Sequence, residues 1–590
     1  MFSLFYEKNK NNELFNSSRE VVNVDSIQNY IPLYNKFFSL TKDNYNSFNL
    51  NETKHIEKIL EKQTENSYKI KLSTKSNVNS FFKFSPLMDP LKFMIGKYNN
   101  KNIIELPKFN ETDISKELEK IYDTNNAAYT DGFFYYLSSQ LLNNHNFLHG
   151  IDFYGSFLCI KNEYKINIFD DAEYLYDSTF FNHNKNKLFK IEETHEDRIL
   201  KYETRSNKKR IEFLKTLNNR NLSLNSVQDF GEMFEVVDLN EKTQDSSSNV
   251  QVQDVSSNNN DYSIVFEYLN NCKSCKQHGS ISSSESSDCS SRSSQSDIVD
   301  NLDNESGIES SKSCESEWET DEENSMSSSL SMLSEDEVLE ATLDKFPVQM
   351  ICLEKLDNTL DDYISTSEDI SNDEWKSIFF QIIATLLVYQ KVFDFTHNDL
   401  HTNNVMYEET DKKYLYYKYN NRHYKVPTYG KLYKIIDFGR SIYKFKGALC
   451  MSDSYHPKGD AATQYNIPPY FNENKPRLEP NKSFDLCRLG CSLFDYFFDD
   501  VEDGYTTKDE ISKIVNEWCL DYKERNILYK KNGEERYEDF KLYKMIARTV
   551  KNKEPEKFIE REVFDCFKAS SKDVKNKKVL KIDELPDLTV

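Results

Sequence analysis

Two polar residues in the C-terminal half of the chain have the types and spacing that phosphoryl transfer requires. Asp399 and Asn404 lie in the segment HNDLHTNN at 397–404, directly before an apolar run. Phosphoryl transfer needs a carboxylate that orients a hydroxyl group or accepts its proton, and oxygen ligands that hold Mg²⁺ on the phosphates. An Asp followed five residues later by an Asn supplies both. The segment therefore predicts a catalytic loop.

A second carboxylate lies at the end of a later apolar run. The sequence YKIIDFG at 433–439 predicts a strand that ends in Asp437, and Gly439 lets the backbone turn directly after it. Carboxylate oxygens are suitable ligands for Mg²⁺. We therefore expect Asp437 and Asn404 to meet at a magnesium nucleotide, with ATP and Mg²⁺ as the cofactors.

These motifs resemble those of the eukaryotic protein-kinase superfamily, and they occur in the same order. The resemblance also covers SFDLCRLG at 483–490. It implies that Asp399 is the base or hydroxyl-orienting residue, that Asn404 and Asp437 bind Mg²⁺, and that Asp485 braces the catalytic loop. It further implies an enzyme that phosphorylates Ser or Thr hydroxyls of protein substrates.

Two residues of the catalytic loop depart from the usual kinase pattern. Asn398 replaces the Arg that normally pairs with a phosphate on the activation loop. His401, our second predicted catalytic residue, stands where most protein kinases have a Lys that meets the transferred phosphate. The HxDLHxxN form resembles haspin-like kinases and also aminoglycoside and choline kinases. The acceptor class therefore remains open at this point.

The predicted nucleotide-binding residues of the N-terminal part carry weaker signals. No glycine precedes Gly96, so the usual glycine-rich phosphate loop is missing and a differently built lid is expected. Lys83, in the strand-like run FFKF, is the predicted phosphate-binding lysine, although a lone strand lysine can equally face solvent. Asp131 is the nearest candidate for its carboxylate partner. The backbone of Glu354 to Leu356 is the predicted hinge that reads adenine.

Apolar periodicity predicts the elements that carry these residues. It predicts a strand at 81–84, a buried helix at 133–142, a strand at 346–356 and an amphipathic helix at 373–395 with Ser371 or Asn372 as its cap. The tyrosine-rich segment between Asn404 and Asp437 predicts an extended hairpin that turns at Asn420-Asn421.

The predicted fold class is α+β, a bilobal protein-kinase-like fold with a small β-rich N-lobe and a larger helical C-lobe. The predicted divisions are an N-terminal extension at 1–50, the N-lobe at 51–356, the C-lobe at 357–570 and a C-terminal tail at 571–590. Residues 240–343 are predicted to be a disordered insertion within the N-lobe, because they are rich in Ser and acid and poor in apolar residues. The insertion is either a solvated spacer or a target of acid-directed kinases.

Bulk composition excludes several classes of protein. The formal net charge is -23, and residues 279–340 carry -15 of it, with 17 acids against two basic residues. General nucleic-acid binding is therefore not expected, because it needs clustered Lys and Arg. No stretch approaches 18 uninterrupted apolar residues, so no membrane-spanning helix is expected, and the eleven Cys have no framework-like spacing. These features predict an intracellular protein with reduced thiols.

These residues and motifs leave three possible functions. A Ser/Thr protein kinase is favoured by the ordered motifs, a small-molecule kinase by His401, and a pseudokinase scaffold by the glycine-free N-terminus. The segment at 440–470, which resembles an activation and substrate-docking segment, disfavours the small-molecule kinase. The composition and motifs also resemble the kinases predicted in giant DNA viruses, which implies a location in host cytoplasm or virion. The sequence leaves the oligomeric state open.

Overall fold

The computed structural model describes residues 4–98, 104–191, 339–367, 369–498 and 509–590. All of them belong to one compact unit. We call the residues up to Leu356 the N-terminal part and the rest the C-terminal part. Strands dominate the first and helices the second, so the predicted α+β class is confirmed.

Most of the strands belong to antiparallel pairs. In chain order they are β1 (Tyr6–Lys8), β2 (Val24–Gln28), β3 (Phe48–Leu50), β4 (Ile56–Lys62), β5 (Ser67–Leu72), β6 (Asn77–Pro86), β7 (Phe153–Asn167), β8 (Phe189–Ile191), β9 (Glu340–Glu354), β10 (Asn358–Thr359), β11 (Val405–Glu409), β12 (Tyr414–Tyr419), β13 (Arg422–Pro427), β14 (Lys431–Ile435), β15 (Ile442–Phe445), β16 (Ala448–Met451), β17 (Lys568–Ala569) and β18 (Leu580–Lys581).

Two long helices, α4 and α8, are buried in the core. In chain order the helices are α1 (Asn12–Ser17), α2 (Pro90–Met94), α3 (Glu119–Tyr122), α4 (Ala127–His145), α5 (Ala172–Tyr176), α6 (Thr179–Asn184), α7 (Leu360–Thr366), α8 (Asn372–Phe393), α9 (Phe484–Phe497), α10 (Glu510–Trp518), α11 (Phe540–Thr549) and α12 (Pro555–Phe558).

The N-terminal part is built on one antiparallel sheet. Its strand order is β2-β7-β9-β6-β5-β4, and β8 adds to β9. Lys83 on β6 lies opposite Ile351 on β9. The predicted strands at 81–84 and 346–356 are therefore neighbours near the middle of this sheet, which fixes the position of Lys83.

Helix α4 packs against this sheet and carries Asp131. Its first turn is capped by Asn126, whose side chain accepts a hydrogen bond from Ala128 N at 3.0 Å. Gly132 allows close packing, because a Cβ there would collide with the side-chain amide of Gln349 on β9. The predicted helix at 133–142 is confirmed, but it begins six residues earlier, at Ala127.

Helix α8 is the central helix of the C-terminal part. Ser371 caps it by accepting a hydrogen bond from Glu374 N at 3.3 Å, which confirms one of the two predicted caps. Nearly all of its residues are buried, including the polar side chains of Gln381 and Thr385. An amphipathic helix would expose its polar face, so the prediction was wrong in this respect. Polar side chains can be buried when their polar groups are hydrogen-bonded.

Helix α8 is also the one helix among the described residues that is long and apolar enough to cross a membrane. Of its most apolar window, 89% is buried inside the fold. Burial of this kind is what a core helix shows.

The predicted hairpin between Asn404 and Asp437 is confirmed. Strands β12 and β13 pair in antiparallel register, with Tyr419 opposite Arg422. Asn420 and Asn421 form the turn with φ of 47° and 61°, a backbone region that Asn tolerates better than most residues. Strands β11 and β14 pair outside this hairpin and bring Val405 opposite Ile435. The predicted catalytic loop at 397–404 and Asp437 therefore lie at the same end of one small sheet.

Some predicted boundaries need correction. The predicted insertion at 240–343 lies outside the described residues as far as 338, but 340–343 belong to β9, where Ala341 and Leu343 are buried. Buried residues alternate here with partly buried ones, as in a strand, and Ala341 and Leu343 pair with residues of β7 and β8.

Both predicted terminal segments contribute to the core. In the segment at 1–50, Leu14 and Leu33 are buried, and β2 pairs with β7. In the tail at 571–590, β18 runs parallel to β12, and Leu588 N donates to Val392 O at 2.9 Å. Neither segment has a regular apolar period, so its packing was not visible in the sequence.

Candidate functional site

Lys83 joins the two parts of the protein through two carboxylates. Its ammonium Nζ lies 2.8 Å from Asp131 Oδ2 on α4 and 2.9 Å from Asp437 Oδ1 after β14. The ring of Tyr135 on α4 lies beside the same ammonium, at 5.6 Å from its centroid. Lys83 therefore points toward these carboxylates and not into solvent.

Helix α4 also holds the backbone of the Asp-Phe-Gly segment. Asp131 Oδ1 accepts a hydrogen bond from Phe438 N at 2.8 Å, and Tyr135 Oη accepts one from Asp437 N at 2.9 Å. Asp437 has φ of 63°, so its backbone is in the left-handed region. Tyr135 had no sequence signal, because nothing near it in the chain distinguishes it from the other aromatic residues of the helix.

The shared lysine affects its two carboxylates differently. It lowers the pKa of Asp437 to about 2. Burial raises the pKa of Asp131 to about 6, against the opposing effect of Lys83. Burial alone would lower the pKa of Lys83, but the two carboxylates together raise it well above its usual value. Lys83 and Asp437 are therefore charged at neutral pH.

Asp485 fixes the start of the catalytic loop. Its two carboxylate oxygens accept hydrogen bonds from His397 N and Asn398 N, both at 2.9 Å. Asp485 is buried in the first turn of α9, and burial raises its pKa to about 7 although both N–H groups act in the opposite direction. The contact is the one expected of a residue that braces this loop.

The imidazole of His397 connects the catalytic loop to the strand before Asp437. Asp399 N donates to His397 Nδ1 at 3.3 Å, and His397 Nε2 lies 2.9 Å from Ile436 O. Nε2 therefore carries the proton of a neutral imidazole, and burial lowers the pKa of His397 in agreement. This ring links the positions of Asp399 and Asp437.

Asn398 makes local contacts in the position where kinases usually have Arg. Its amide nitrogen donates to Arg440 O at 3.1 Å, and its amide oxygen accepts from Tyr465 Oη at 2.7 Å. Its φ of 64° is one that Asn tolerates. Asn398 thus ties the catalytic loop to the segment after Asp-Phe-Gly by hydrogen bonds between uncharged groups.

Asn404 and His401 lie side by side at the end of the loop. Asn404 Nδ2 donates to Asp399 O at 2.9 Å and lies 3.1 Å from His401 Nε2. Ile436 N donates to Asn404 O at 3.0 Å, which brings Asn404 next to the Asp437 strand. Burial lowers the pKa of His401, so this half-buried ring is neutral near pH 7.

Both oxygens of the Asp399 carboxylate contact side chains from outside the loop. Oδ1 accepts a hydrogen bond from Tyr543 Oη on α11 at 2.8 Å. Oδ2 lies 3.4 Å from the guanidinium of Arg440, which also pairs with Asp460 at 2.7 Å. The sequence predictions missed Tyr543 and Arg440, since neither belongs to the motifs around Asp399.

The predicted hinge lies between β9 and β10. Glu354 N donates to Asp152 O at 3.0 Å, and the Glu354 carboxylate pairs with the buried ammonium of Lys434. Leu356 is buried and Lys355 is exposed. The Glu354 side chain is thus occupied, and any contact of the hinge with a ligand would come from its backbone.

The loop at 63–66 lies next to the strand that carries Lys83, since Phe82 N donates a hydrogen bond to Asn66 O at 2.7 Å. It joins β4 to β5, and β5 starts at Ser67, opposite Phe81 on the Lys83 strand. Thr64 closes the turn by accepting a hydrogen bond from Ser67 N at 3.1 Å. Residues 63–66 thus form a short polar turn without glycine, and its role as a lid stays a prediction.

The described residues contain no group of three or more His, Cys, Asp or Glu that could hold a metal ion. Mg²⁺ usually takes only one or two carboxylates from the protein, together with phosphates and water. A Mg²⁺ site can therefore have fewer than three such protein ligands. Asp437 is half exposed, and the amide nitrogen of Asn404 is used by Asp399 O, which directs the amide oxygen elsewhere. Both donors are hard oxygens and fit Mg²⁺ in their chemistry.

Comparison with known proteins gives short matches. No family model matches the chain. Over 78 residues, 13% of the chain, it is 37% identical to the serine/threonine-protein kinase haspin of Bos taurus and, with the same values, of Mus musculus. Over 77 residues, 12% of the chain, it is 42% identical to a probable serine/threonine-protein kinase of Dictyostelium discoideum.

The relationship is kinase-like. It covers 10% of each haspin and 6% of the Dictyostelium protein. The functions predicted for Asp399, His401, Asn404, Asp437, Lys83 and the hinge residues Glu354 and Leu356 stay predictions. The structure brings the first five into one connected site, whereas the contacts described for Glu354 are with Asp152 and Lys434.

Proposed function

We propose that this protein is an ATP- and Mg²⁺-dependent kinase that phosphorylates Ser or Thr hydroxyls of protein substrates. The observation that carries the proposal is the position of Lys83, which bridges Asp131 at 2.8 Å and Asp437 at 2.9 Å. In this arrangement the Lys83 ammonium is held where it can contact the phosphates, and the Asp437 carboxylate lies beside it, where it can bind a metal ion. The two parts of the chain are, on this proposal, the lobes of a bilobal kinase-like fold.

Nucleotide binding is assigned to the N-terminal part and the hinge. Lys83 would contact the phosphates, because its charge is maintained by two carboxylates and its ammonium faces the site. The polar turn at 63–66 would cover the phosphates, and the backbone of Glu354 to Leu356 would contact adenine. Main-chain groups can bind adenine with few side-chain requirements, which is compatible with the occupied Glu354 carboxylate.

Metal binding is assigned to Asp437 and Asn404. Mg²⁺, when bound, neutralises the charge that develops between the β- and γ-phosphates. The role of the chain is to hold two oxygen donors at the same end of the β11–β14 pair. Ile436 N to Asn404 O, at 3.0 Å, is the hydrogen bond that keeps them adjacent.

The acceptor hydroxyl is assigned to Asp399. Its backbone and carboxylate are fixed by His397, Asn404 and Tyr543, so the carboxylate needs little reorganisation to orient a hydroxyl and receive its proton. His401 is the second catalytic residue on this proposal, as a neutral ring next to the amide of Asn404.

A small-molecule kinase is the second candidate, favoured by His401 within HNDLHTNN. One assay separates the two: radiolabelled ATP with Mg²⁺, offered a generic protein acceptor or small aminoalcohols. Labelled protein is the expected result, whereas labelled aminoalcohol would select the second candidate. Transfer to neither would select the pseudokinase scaffold.

The variant Asp437→Ala tests the metal role. We expect it to lower phosphoryl transfer by roughly 10³-fold or more, because a charged oxygen ligand is lost from the predicted metal. Lys83 keeps Asp131, so the thermal unfolding midpoint should change little. Asp411→Ala, which removes an exposed carboxylate outside the site, is the matched control. Full activity in Asp437→Ala would remove the metal role.

A further inference from the structure

A tyrosine far along the chain from the catalytic loop contacts the predicted catalytic carboxylate. Tyr543 lies on α11, 144 residues after Asp399, and its Oη is 2.8 Å from Asp399 Oδ1. It belongs to none of the sequence motifs. A hydroxyl group at this distance from a carboxylate either supports the carboxylate or occupies the place of an incoming hydroxyl.

The direction of the hydrogen bonds is fixed by Arg488. Its Nε lies 3.0 Å from Tyr543 Oη, and a guanidinium can only donate. The Tyr543 proton is therefore free to be donated to Asp399. Burial and the nearby Asp399 carboxylate raise the pKa of Tyr543, which keeps that proton in place. The three residues form one ordered series of hydrogen bonds, from Arg488 through Tyr543 to Asp399.

The Tyr543 ring is held by packing on several sides. Its centroid is 5.4 Å from that of the stacked Phe540 ring and 6.0 Å from that of Phe484. The guanidinium carbons of Arg488 and Arg440 lie 5.2 Å and 5.6 Å from it. Such contacts with two aromatic rings and two cations restrict rotation of the side chain.

Helix α11 is itself anchored in the core. Asn481, which lies just before α9, donates from its side-chain amide to Ala547 O at 3.2 Å and Val550 O at 2.9 Å. Ile546 and Ala547 are buried. Tyr543 is therefore carried by a helix that is packed into the core, which holds its position at the site.

We propose that Tyr543 is a positioning residue that holds Oδ1 of Asp399, so that Oδ2 faces the acceptor hydroxyl, and that Arg488 orients Tyr543. The proposal rests on the proposed function. Among the described residues, Oδ2 has only the 3.4 Å contact with Arg440. An ionised carboxylate oxygen accepts about two hydrogen bonds, so Oδ2 retains capacity for a substrate hydroxyl.

The positive charge next to Asp399 comes from outside the loop. The His401 ring nitrogen Nε2 lies 3.1 Å from the donating amide nitrogen of Asn404, so it accepts this hydrogen bond and carries no proton. Arg440 is shared with Asp460. Arg488 donates its hydrogen bond to the Tyr543 hydroxyl, and this hydroxyl donates to Asp399. Arg488 therefore acts on the carboxylate through Tyr543 and not through a direct ion pair.

Tyr543→Phe tests the proposal with purified full-length protein, ATP and a generic protein acceptor. We expect kcat to fall roughly 10- to 100-fold, since small errors in orientation cost that much, with KM for ATP and for the acceptor unchanged. Tyr529→Phe is the matched control, because it also removes a tyrosine hydrogen bond to a carboxylate, Asp495 Oδ1 at 2.9 Å, and lies outside the site. Its kcat should equal that of the parent.

Arg488→Met gives a second, independent measurement. It keeps the Tyr543 side chain chemically intact and removes only the guanidinium that orients its hydroxyl, so it carries the test even where Tyr543→Phe lowers the unfolding midpoint. We expect a smaller fall in kcat with KM unchanged. In the double variant Arg488→Met should add nothing to Tyr543→Phe, because both act through the same hydroxyl.

The outcomes separate this proposal from the proposed function. A Tyr543→Phe protein with parental kcat overturns the positioning role and leaves the kinase assignment standing. Higher kcat together with lower KM for the acceptor would mean that Tyr543 blocks the acceptor position, which also overturns it. Additive losses in the double variant overturn the role of Arg488. A parent protein that transfers no phosphate overturns both proposals.

Discussion

Lys83 is shared between two carboxylates that differ in their exposure to water. Asp131 is buried, while the side chain of Asp437 is 51% exposed. Burial disfavours the charged form of a carboxyl group and a nearby ammonium favours it. The pKa of Asp131 is therefore about 6 and that of Asp437 about 2. At mildly acidic pH the Lys83–Asp131 pair loses its negative charge before the Lys83–Asp437 pair does.

This difference predicts how nucleotide binding depends on pH. The pKa of Asp131 is raised in the folded protein to about 6, so the group gains a proton as pH falls through that value and Lys83 loses a charged partner. We expect KM for ATP to rise as pH falls from about 7.5 to about 5.5. Steady-state kinetics over that range, at saturating acceptor, measure it.

Asp131→Asn is the variant that isolates this residue. It should lower kcat/KM for ATP roughly 10- to 100-fold, because a charged hydrogen bond is lost, and KM should then no longer change around pH 6. Asp25→Asn is a suitable control, since it removes the carboxylate of a lysine pair outside the site, with Lys345 at 3.2 Å. A KM for ATP that rises as steeply with acid in Asp131→Asn as in the parent would contradict the assignment.

At the scale of elements, α4 is coupled to the segment that follows Asp-Phe-Gly. Asp453, just after β16, accepts a hydrogen bond from Ala127 N at 2.9 Å and pairs with Lys120. Its own N–H donates to Asn125 O at 2.7 Å. A carboxylate at a helix N-terminus satisfies an unpaired N–H group and interacts favourably with the helix dipole. The segment thereby holds the end of the helix nearest to Asp131.

Asp453→Ala should loosen the first turn of α4. We expect it to reduce the free energy of unfolding by about 1 kcal/mol, as loss of an N-cap does. The rate of phosphoryl transfer should fall more than the loss of unfolding free energy alone would cause. The reason is that Asp131 lies one turn into the helix, so a loosened first turn displaces it. Hydrogen exchange of the amides of residues 127–131 and steady-state kinetics measure the two effects.

Asp509→Ala is the control for that experiment. Asp509 caps α10 by accepting from Ser512 N at 2.7 Å, and α10 carries none of the site residues. Its substitution should cost similar stability with no loss of activity. Unchanged exchange of the 127–131 amides in Asp453→Ala would show that the segment does not hold the helix.

At the scale of the whole molecule, a buried histidine links the N-terminal part to the C-terminal part. His149 follows α4, and its Nδ1 lies 2.7 Å from Tyr433 O while its Nε2 lies 2.7 Å from Tyr417 Oη. The carbonyl oxygen can only accept, so Nδ1 carries the proton and the ring is neutral. Burial lowers the pKa of His149 to about 4. The joint between the two parts therefore depends on an uncharged imidazole.

This joint makes stability depend on pH in a defined window. The unfolded chain binds a proton at His149 below about pH 6.5, whereas the folded protein does so only near pH 4. Acid therefore favours the unfolded state, and we expect His149 to account for a loss of about 3 kcal/mol between pH 7 and pH 4. Urea unfolding at a series of pH values measures it.

His149→Asn keeps a donor for Tyr433 O and removes the titrating ring. The variant should be less stable than the parent at pH 7 and should lose less stability on going to pH 4. Parallel curves for the two proteins across this window would mean that the ring does not control the pH dependence.

Several features of the fold depend on local order and were predictable from the residues alone. Asp399 and Asn404 are five residues apart in one loop, and the Asn404 side-chain amide reaches the backbone carbonyl of Asp399 at 2.9 Å. The strands around Lys83 and Ile351, the helix capped by Ser371 and the turn at Asn420-Asn421 follow from apolar period, capping chemistry and backbone preference. These signals act over a few residues and can be seen in any single chain.

Tertiary structure alone decided which distant residues complete the site. The Lys83 hydrogen bond to Asp437 spans 354 positions, and that of Tyr543 to Asp399 spans 144. No local pattern encodes such a contact, because the energy that forms it comes from packing of whole elements. The start of α4, which places Asp131 next to Lys83, depends on both kinds of contact: Asn126 caps it locally, and Asp453, far along the chain, accepts a hydrogen bond from Ala127 N.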